Sequence, residues 1–256
     1  MTTRDVIERA HKLGYPDDAI CYIRIAANEG HLNILDLIYP KRDIMEIKEI
    51  VTGLKNGVDA SKYANPAFGW REMQIIRLGL QQGIDVTGIS DIKRMDRYQI
   101  LEVQKGIKSG IDVTPYANHK YDHRQMEMIR IGLERGLDVS QYTNLDLNGS
   151  QMEQIRLGLD ENVDVALFNN PRFNSAQMEQ IRLGLSQNLD ASIYADLKFS
   201  SAQMYEIRLG LLLGVDISTY THPDLTPETM CSIRRKLKPV ENNTQQGILQ
   251  TLIPCC

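Results

Sequence analysis

Residues 151–159 read QMEQIRLGL, residues 177–185 repeat that stretch letter for letter, and residues 203–211 return it as QMYEIRLGL. Recurrence at a short fixed period marks an array of like segments, not a single pocket-bearing domain. With the glycine of IRLGL as anchor, the register runs through Gly53, Gly79, Gly106, Gly132, Gly158, Gly184 and Gly210. The interval is 26 residues, except for one of 27 where KRMDRYQILEVQKG carries an extra residue. Degenerate copies flank the series: AICYIRIAANEG with Ala26 at the anchor, and TMCSIRRKLKP with Lys236 there. The register predicts nine helical units over about 17–238.

Each column of the period has a physical use. Ten residues before the anchor stand helix-capping types, Asp43, Asp96, Asp122, Asn148, Asn174, Ser200 and Thr226. Glu46, Gln99, Gln125, Gln151, Gln177 and Gln203 follow three residues later, which is the capping-box spacing. Four residues past the anchor come Gly57, Gly83, Gly110, Gly136, Asn162, Asn188 and Gly214, the types that suit a left-handed helix end. Each unit should therefore carry one helix of about three and a half turns. Met126, Ile129 and Leu133 form one apolar stripe, and Ile131 faces the other way, so stacked neighbours must cover more than one face. The anchor glycine costs about 1 kcal/mol against alanine inside a helix. Its recurrence implies a packing need, read here as close approach of a neighbouring backbone. Asp59, Asp85, Asp112, Asp138, Asp164, Asp190 and Asp216 come next, mostly with Ser or Thr two residues on. They read as caps of a second, very short helix. Tyr63, Tyr116, Tyr142, Phe168, Tyr194 and Tyr220 would anchor that turn to the core, with Ile89 as the one aliphatic substitute. Phe68, Tyr121, Phe173 and Phe199 supply a further apolar plug, and no run alternates convincingly enough for a strand.

The sharpest chemical candidate is a ladder of arginines two residues before the anchor: Arg24, Arg77, Arg130, Arg156, Arg182, Arg208 and Arg234, broken by Val51 and Gln104. A row of guanidinium groups suits anionic ligands. The structural alternative pairs each arginine with a turn aspartate or a loop carbonyl. Leu212 and Leu213 form a second anomaly, because the same columns are polar elsewhere (Lys55-Asn56, Asp160-Glu161, Ser186-Gln187). Adjacent exposed leucines imply a covered surface. His119 and His123 supply too few ligands for a metal site, and no hydrolase, phosphate-loop or dinucleotide fingerprint appears.

The net charge of −4 excludes no globular class and argues against general nucleic-acid binding, which rests on phosphate neutralisation. The first ten residues hold no apolar signal core, and no apolar run is long enough to cross a membrane. Cys21, Cys231, Cys255 and Cys256 lack disulfide or zinc spacing. These features lead to the expectation of a cytoplasmic protein without a membrane association.

The pattern QMxxIRxGLxxGxDVSxYxxPxF resembles a short-repeat family of uncharacterised bacterial and mobile-element proteins. The resemblance covers about 43–238, departs from the pattern in MDRYQILEVQKG and at both ends, and implies an α-helical repeat in a prokaryotic or phage setting. It implies no activity. The expected architecture is all-α, an α-solenoid of about nine short helix-turn repeats. It has a capping region over 1–42, an array over 43–238, and a linker with a short apolar tail over 239–256. The expected role is a scaffold that binds another protein, without catalysis, cofactor or metal. Its alternative is a binder of phosphate-bearing ligands through the arginines. Candidate contact residues are Arg77, Arg130, Arg156, Arg182, Arg208, Leu212 and Leu213, with homo-oligomerisation through the C-terminal end a further expectation.

Overall fold

The chain is all-α in a computed structural model, which describes residues 1–240 apart from Asp85, Gly88 and the side chain of Ser90. Ten α-helices lie among the described residues: α1 (Thr3–Lys12), α2 (Asp17–Asn28), α3 (Ile44–Lys55), α4 (Trp70–Gln82), α5 (Arg97–Lys108), α6 (His123–Glu134), α7 (Gly149–Asp160), α8 (Ser175–Ser186), α9 (Ser201–Leu212) and α10 (Pro227–Arg234). They fall into two compact units, Met1–Gly136 with α1–α6, and one from Leu137 onward with α7–α10. Within the first unit each helix packs on the next in sequence, and the same holds within the second. The nine expected helices are α2–α10. Helix α1 lies outside the register, because it ends only 16 residues before the end of α2 (Lys12 to Asn28). It forms from a local Thr2–Asp5 capping box and buries Val6 and Ala10.

The helix ends follow the residue types closely. Asp96, Asp122, Asn148, Asn174 and Ser200 each accept a backbone N–H in the first turn, and the paired Gln returns a bond to the cap N–H. At the other end, Gly57, Gly83, Gly110, Gly136, Asn162, Asn188 and Gly214 all have φ between 55° and 73°. After Gly57, Gly83, Gly110, Asn162, Asn188 and Gly214 the next residue donates back to the anchor carbonyl, as Val58 does to Gly53 at 2.9 Å and Leu189 to Gly184 at 2.9 Å. This closes a Schellman motif and satisfies carbonyls that the helix end would strand. Short 3₁₀ turns follow, such as Ala60–Lys62, Val139–Gln141, Val165–Leu167, Ala191–Ile193 and Ile217–Thr219. Asp59, Asp138, Asp164, Asp190 and Asp216 cap them. Asp85 lies outside the described residues.

The anchor glycine serves a different neighbour from the one expected. A Cβ on Gly184 would stand 1.9 Å from the Tyr194 hydroxyl, and one on Gly210 1.7 Å from that of Tyr220. Gly53 and Gly106 meet Tyr63 and Tyr116 in the same way. The close approach is therefore by the aromatic of the segment's own 3₁₀ turn and not by the next helix. Each of these tyrosines is buried, with its hydroxyl donating to the carbonyl four residues before the glycine: Tyr63 to Glu49, Tyr116 to Glu102, Tyr194 to Gln180 and Tyr220 to Glu206. Gly158 faces Phe168, which has no hydroxyl, and there the ring Cζ would stand 2.9 Å from a Cβ, as close as the tyrosine rings do.

No described helix is long and apolar enough to cross a membrane. Outside the helices, Val215 and Pro239 form one antiparallel bridge, and the Val240 N–H donates to the Gly214 carbonyl at 2.7 Å. The expected linker and apolar tail lie outside the described residues from 241 on.

Candidate functional site

The arginine ladder is built into the packing between successive helices. Arg77 Nε donates to Glu49 Oε2 at 2.9 Å, and Arg130 Nε to Glu102 Oε2 at 2.9 Å. In the second unit Arg182 reaches Gln154 at 3.1 Å, Arg208 reaches Gln180 at 3.1 Å, and Arg234 reaches Glu206 at 2.8 Å. The partner stands 28 residues earlier each time, on the preceding helix, and is neither a turn aspartate nor a loop carbonyl. A second acceptor takes the other end of the guanidinium: Gln81 for Arg77, Glu134 for Arg130, Glu161 for Arg182 and Gln187 for Arg208. Gln104, a break in the ladder, also reaches the preceding helix, by donating to Gln74, 30 residues earlier, at 2.6 Å. Arg77, Arg156, Arg182 and Arg208 are buried, Arg130 and Arg234 partly so, and Arg24 is exposed. Arg156 donates to Asp160 at 3.2 Å through Nη1, whereas its buried Nε has no hydrogen-bond partner.

The capping-box glutamines bind segments together as well. Their Oε1 accepts the cap N–H, and their Nε2 reaches the loop before the next helix. Gln99 donates to the carbonyls of His119 and Tyr121, Gln151 to Pro171 and Phe173, Gln177 to Phe199, and Gln203 to Pro223 and Leu225. A glutamate would cap as well but could not donate. Where the column holds Glu46, the buried Arg42 pairs with it and donates to the carbonyls of Ala64 and Asn65.

The exposed surface carries its own pattern, and the sequence reading missed it. At the first two positions of α4, α5 and α6 stand Trp70-Arg71, Arg97-Tyr98 and His123-Arg124. Tyr98 is 55 % exposed and Leu101 44 %. The Arg71 guanidinium lies over Trp70 at 5.2 Å and that of Arg97 over Tyr98 at 5.6 Å, while Tyr98 meets His123 at 5.5 Å between ring centres. The segment before α5 is tied to its neighbours on both sides: Lys93 contacts Glu72 of α4 at 3.7 Å, and His119, in the loop before α6, has its Nδ1 3.0 Å from Asp91 Oδ2. The Asp91 carboxyl is held below its ordinary range, mainly by the adjoining His119 side chain. In the second unit the same columns read Gly149-Ser150, Ser175-Ala176 and Ser201-Ala202. Comparing the columns nine and eight residues before the anchor would have exposed this contrast.

Of the two leucines, Leu212 is 42 % exposed, whereas Leu213, at the helix end, is half-buried. Tyr205, seven residues before Leu212 on the same face of α9, is 43 % exposed. Among the described residues, no group of three or more His, Cys, Asp or Glu is placed to hold a metal ion. An open depression of about 430 Å³ in the second unit is lined by Gln141, Leu159, Asn162, Asp164, Val165 and Asn169, among others. Comparison of the chain with protein-family models, with curated proteins and with solved structures finds no match.

Proposed function

We propose that this chain is an α-solenoid repeat scaffold that binds another protein and performs no catalytic step itself. The observation that carries the reading is the mixed aromatic and basic face at the starts of α4–α6, with Trp70, Arg71, Arg97, Tyr98, Leu101 and Arg124. Trp, Tyr and Arg are the residue types that dominate binding energy at protein interfaces. Most polar groups of the period support the same reading, because they are engaged within the chain: Gln with loop carbonyls, Asp with turn N–H groups, and the arginines from Arg77 on with Glu, Gln or, for Arg156, Asp160. The bacterial or mobile-element setting implied by the resemblance belongs to this proposal too. Affinity capture with the wild-type chain beside an Arg97→Glu/Tyr98→Ala variant tests it. The expected result is loss of one defined partner with an unchanged circular dichroism spectrum. Equal capture by both proteins overturns the assignment of this face.

A phosphate-bearing ligand is the second reading. The observation in its favour is the unpartnered, buried Arg156 Nε. A thermal-shift series with nucleotides, run on wild type and Arg156→Lys, separates the two readings. A nucleotide-dependent rise in wild type that the variant loses favours the ligand.

A further inference from the structure

Helix α9 breaks a rule that its neighbours keep. Five residues before the anchor, α7 and α8 carry Glu153 and Glu179, but α9 carries Tyr205. Two residues after it they carry Asp160 and Ser186, but α9 carries Leu212. Leu209 lies between the two, so Tyr205, Leu209 and Leu212 follow one another at i, i+4 and i+7 along one face. Tyr205 and Leu212 are both more than two-fifths exposed. Two of its three positions are polar in α7 and α8, while Leu209 has Leu157 and Leu183 as counterparts, and an exposed apolar stripe of this kind calls for a cover.

The path of the chain supplies one. After α10 the backbone does not leave the unit. It returns to the end of α9, where Pro239 bridges Val215 and the Val240 N–H bonds to the Gly214 carbonyl at 2.7 Å. Gly214 is two residues past Leu212. The sequence beyond, ENNTQQGILQTLIPCC, places Ile248, Leu249, Leu252 and Ile253 at a spacing that suits one face of a helical turn. Eight residues separate Val240 from Ile248, a reach of up to about 26–29 Å in extended chain. Helix α9, with 12 residues, is only about 18 Å long. Every point of the stripe is therefore within reach.

We propose that the apolar segment 248–253 of this same chain docks on the Tyr205–Leu209–Leu212 face of α9. The proposal rests on the second unit alone and is independent of the partner assigned to α4–α6. It predicts a contact within one molecule, which sets it apart from a second copy or a foreign protein on the same stripe.

Hydroxyl-radical footprinting of the full-length chain tests it, wild type against Leu249→Asp/Leu252→Asp, at a low and a high protein concentration. Oxidation of Tyr205, Leu209 and Leu212 should rise severalfold in the variant at both concentrations, while Tyr98, an exposed tyrosine of the first unit, stays unchanged as an internal control. Equal rates in the two proteins overturn the proposal. So does protection seen only at the high concentration, which assigns the stripe to a second copy. A reciprocal variant, Tyr205→Glu/Leu212→Glu, restores the polarity found in α7 and α8 and should accelerate thermolysin cleavage within 248–253. Unchanged cleavage overturns the proposal as well.

Discussion

Glycine and tyrosine at fixed separation are the smallest working part of this chain. Tyr194 is buried, its hydroxyl held by the Gln180 carbonyl at 3.0 Å, and Gly184 leaves the only room for it. Gly184→Ala gains about 1 kcal/mol of helix propensity, but its Cβ must displace a ring pinned at both ends. We expect a net loss of about 1–3 kcal/mol, the usual cost of overpacking, read by chemical denaturation. Tyr194→Phe alone should cost about 1 kcal/mol for the lost hydrogen bond. The double variant should be better than the sum of the two, because the hydroxyl that phenylalanine lacks is the atom closest to the new Cβ. Strict additivity would contradict this account. The arginines give a second contrast at this scale. Arg77→Ala leaves the buried Glu49 carboxylate without its principal partner, at a cost of about 3–5 kcal/mol. Arg208→Ala leaves the neutral Gln180, at about 1–3 kcal/mol. Equal losses on denaturation would show that the charge of the partner does not matter.

At the scale of the element, each helix start is a joint and not only a cap. Gln177 accepts from the Asn174 N–H at 2.9 Å and donates to the Phe199 carbonyl at 2.8 Å, 22 residues on. Gln177→Glu keeps the first bond and sets a carboxylate against a carbonyl at the second. The expected loss is about 1–3 kcal/mol, larger than for Gln177→Glu's counterpart at α3, where Glu46 is native and Arg42 takes over the donation. Thermal melts of Gln177→Glu and Glu46→Gln check this, and a neutral Gln177→Glu would sink it. The capping half of the joint was legible in the sequence, because a cap and its partner lie three residues apart. The stitching half was not, because its acceptors are loop carbonyls and a carbonyl has no letter in the sequence.

For the molecule as a whole, acid should be the sensitive direction. The carboxyls of Asp59, Asp138 and Asp216 are held below their ordinary value of 3.8. The main cause is the hydroxyl of Ser61, Ser140 or Ser218, with the turn backbone N–H adding to it. A carboxyl whose folded value is depressed stabilises the fold above the unfolded value and loses that contribution as pH falls through the folded one. The melting temperature should therefore drop from about pH 4 downward, and Ser140→Ala with Ser218→Ala should flatten part of that drop. A pH profile unaltered by the double substitution would remove the hydroxyls from the account. The exposed faces are a property of the same scale. The basic and aromatic starts of α4–α6 and the apolar stripe of α9 appear only when equivalent columns are compared along the chain.

The sequence by itself determined the all-helical class, both ends of α3 and α5–α9, the end of α4, the start of α10, the capping residues and the left-handed helix ends. All of these rest on interactions within a few residues, which spacing and residue type report directly. Tertiary structure decided what the conserved-looking columns are for. Gly184 makes room for a ring ten residues later, Arg77 answers a carboxylate 28 residues earlier, and Gln177 holds a carbonyl of the following loop. Each contact joins atoms that only packing brings together, so the letters fix which groups are present while the fold fixes which of them meet.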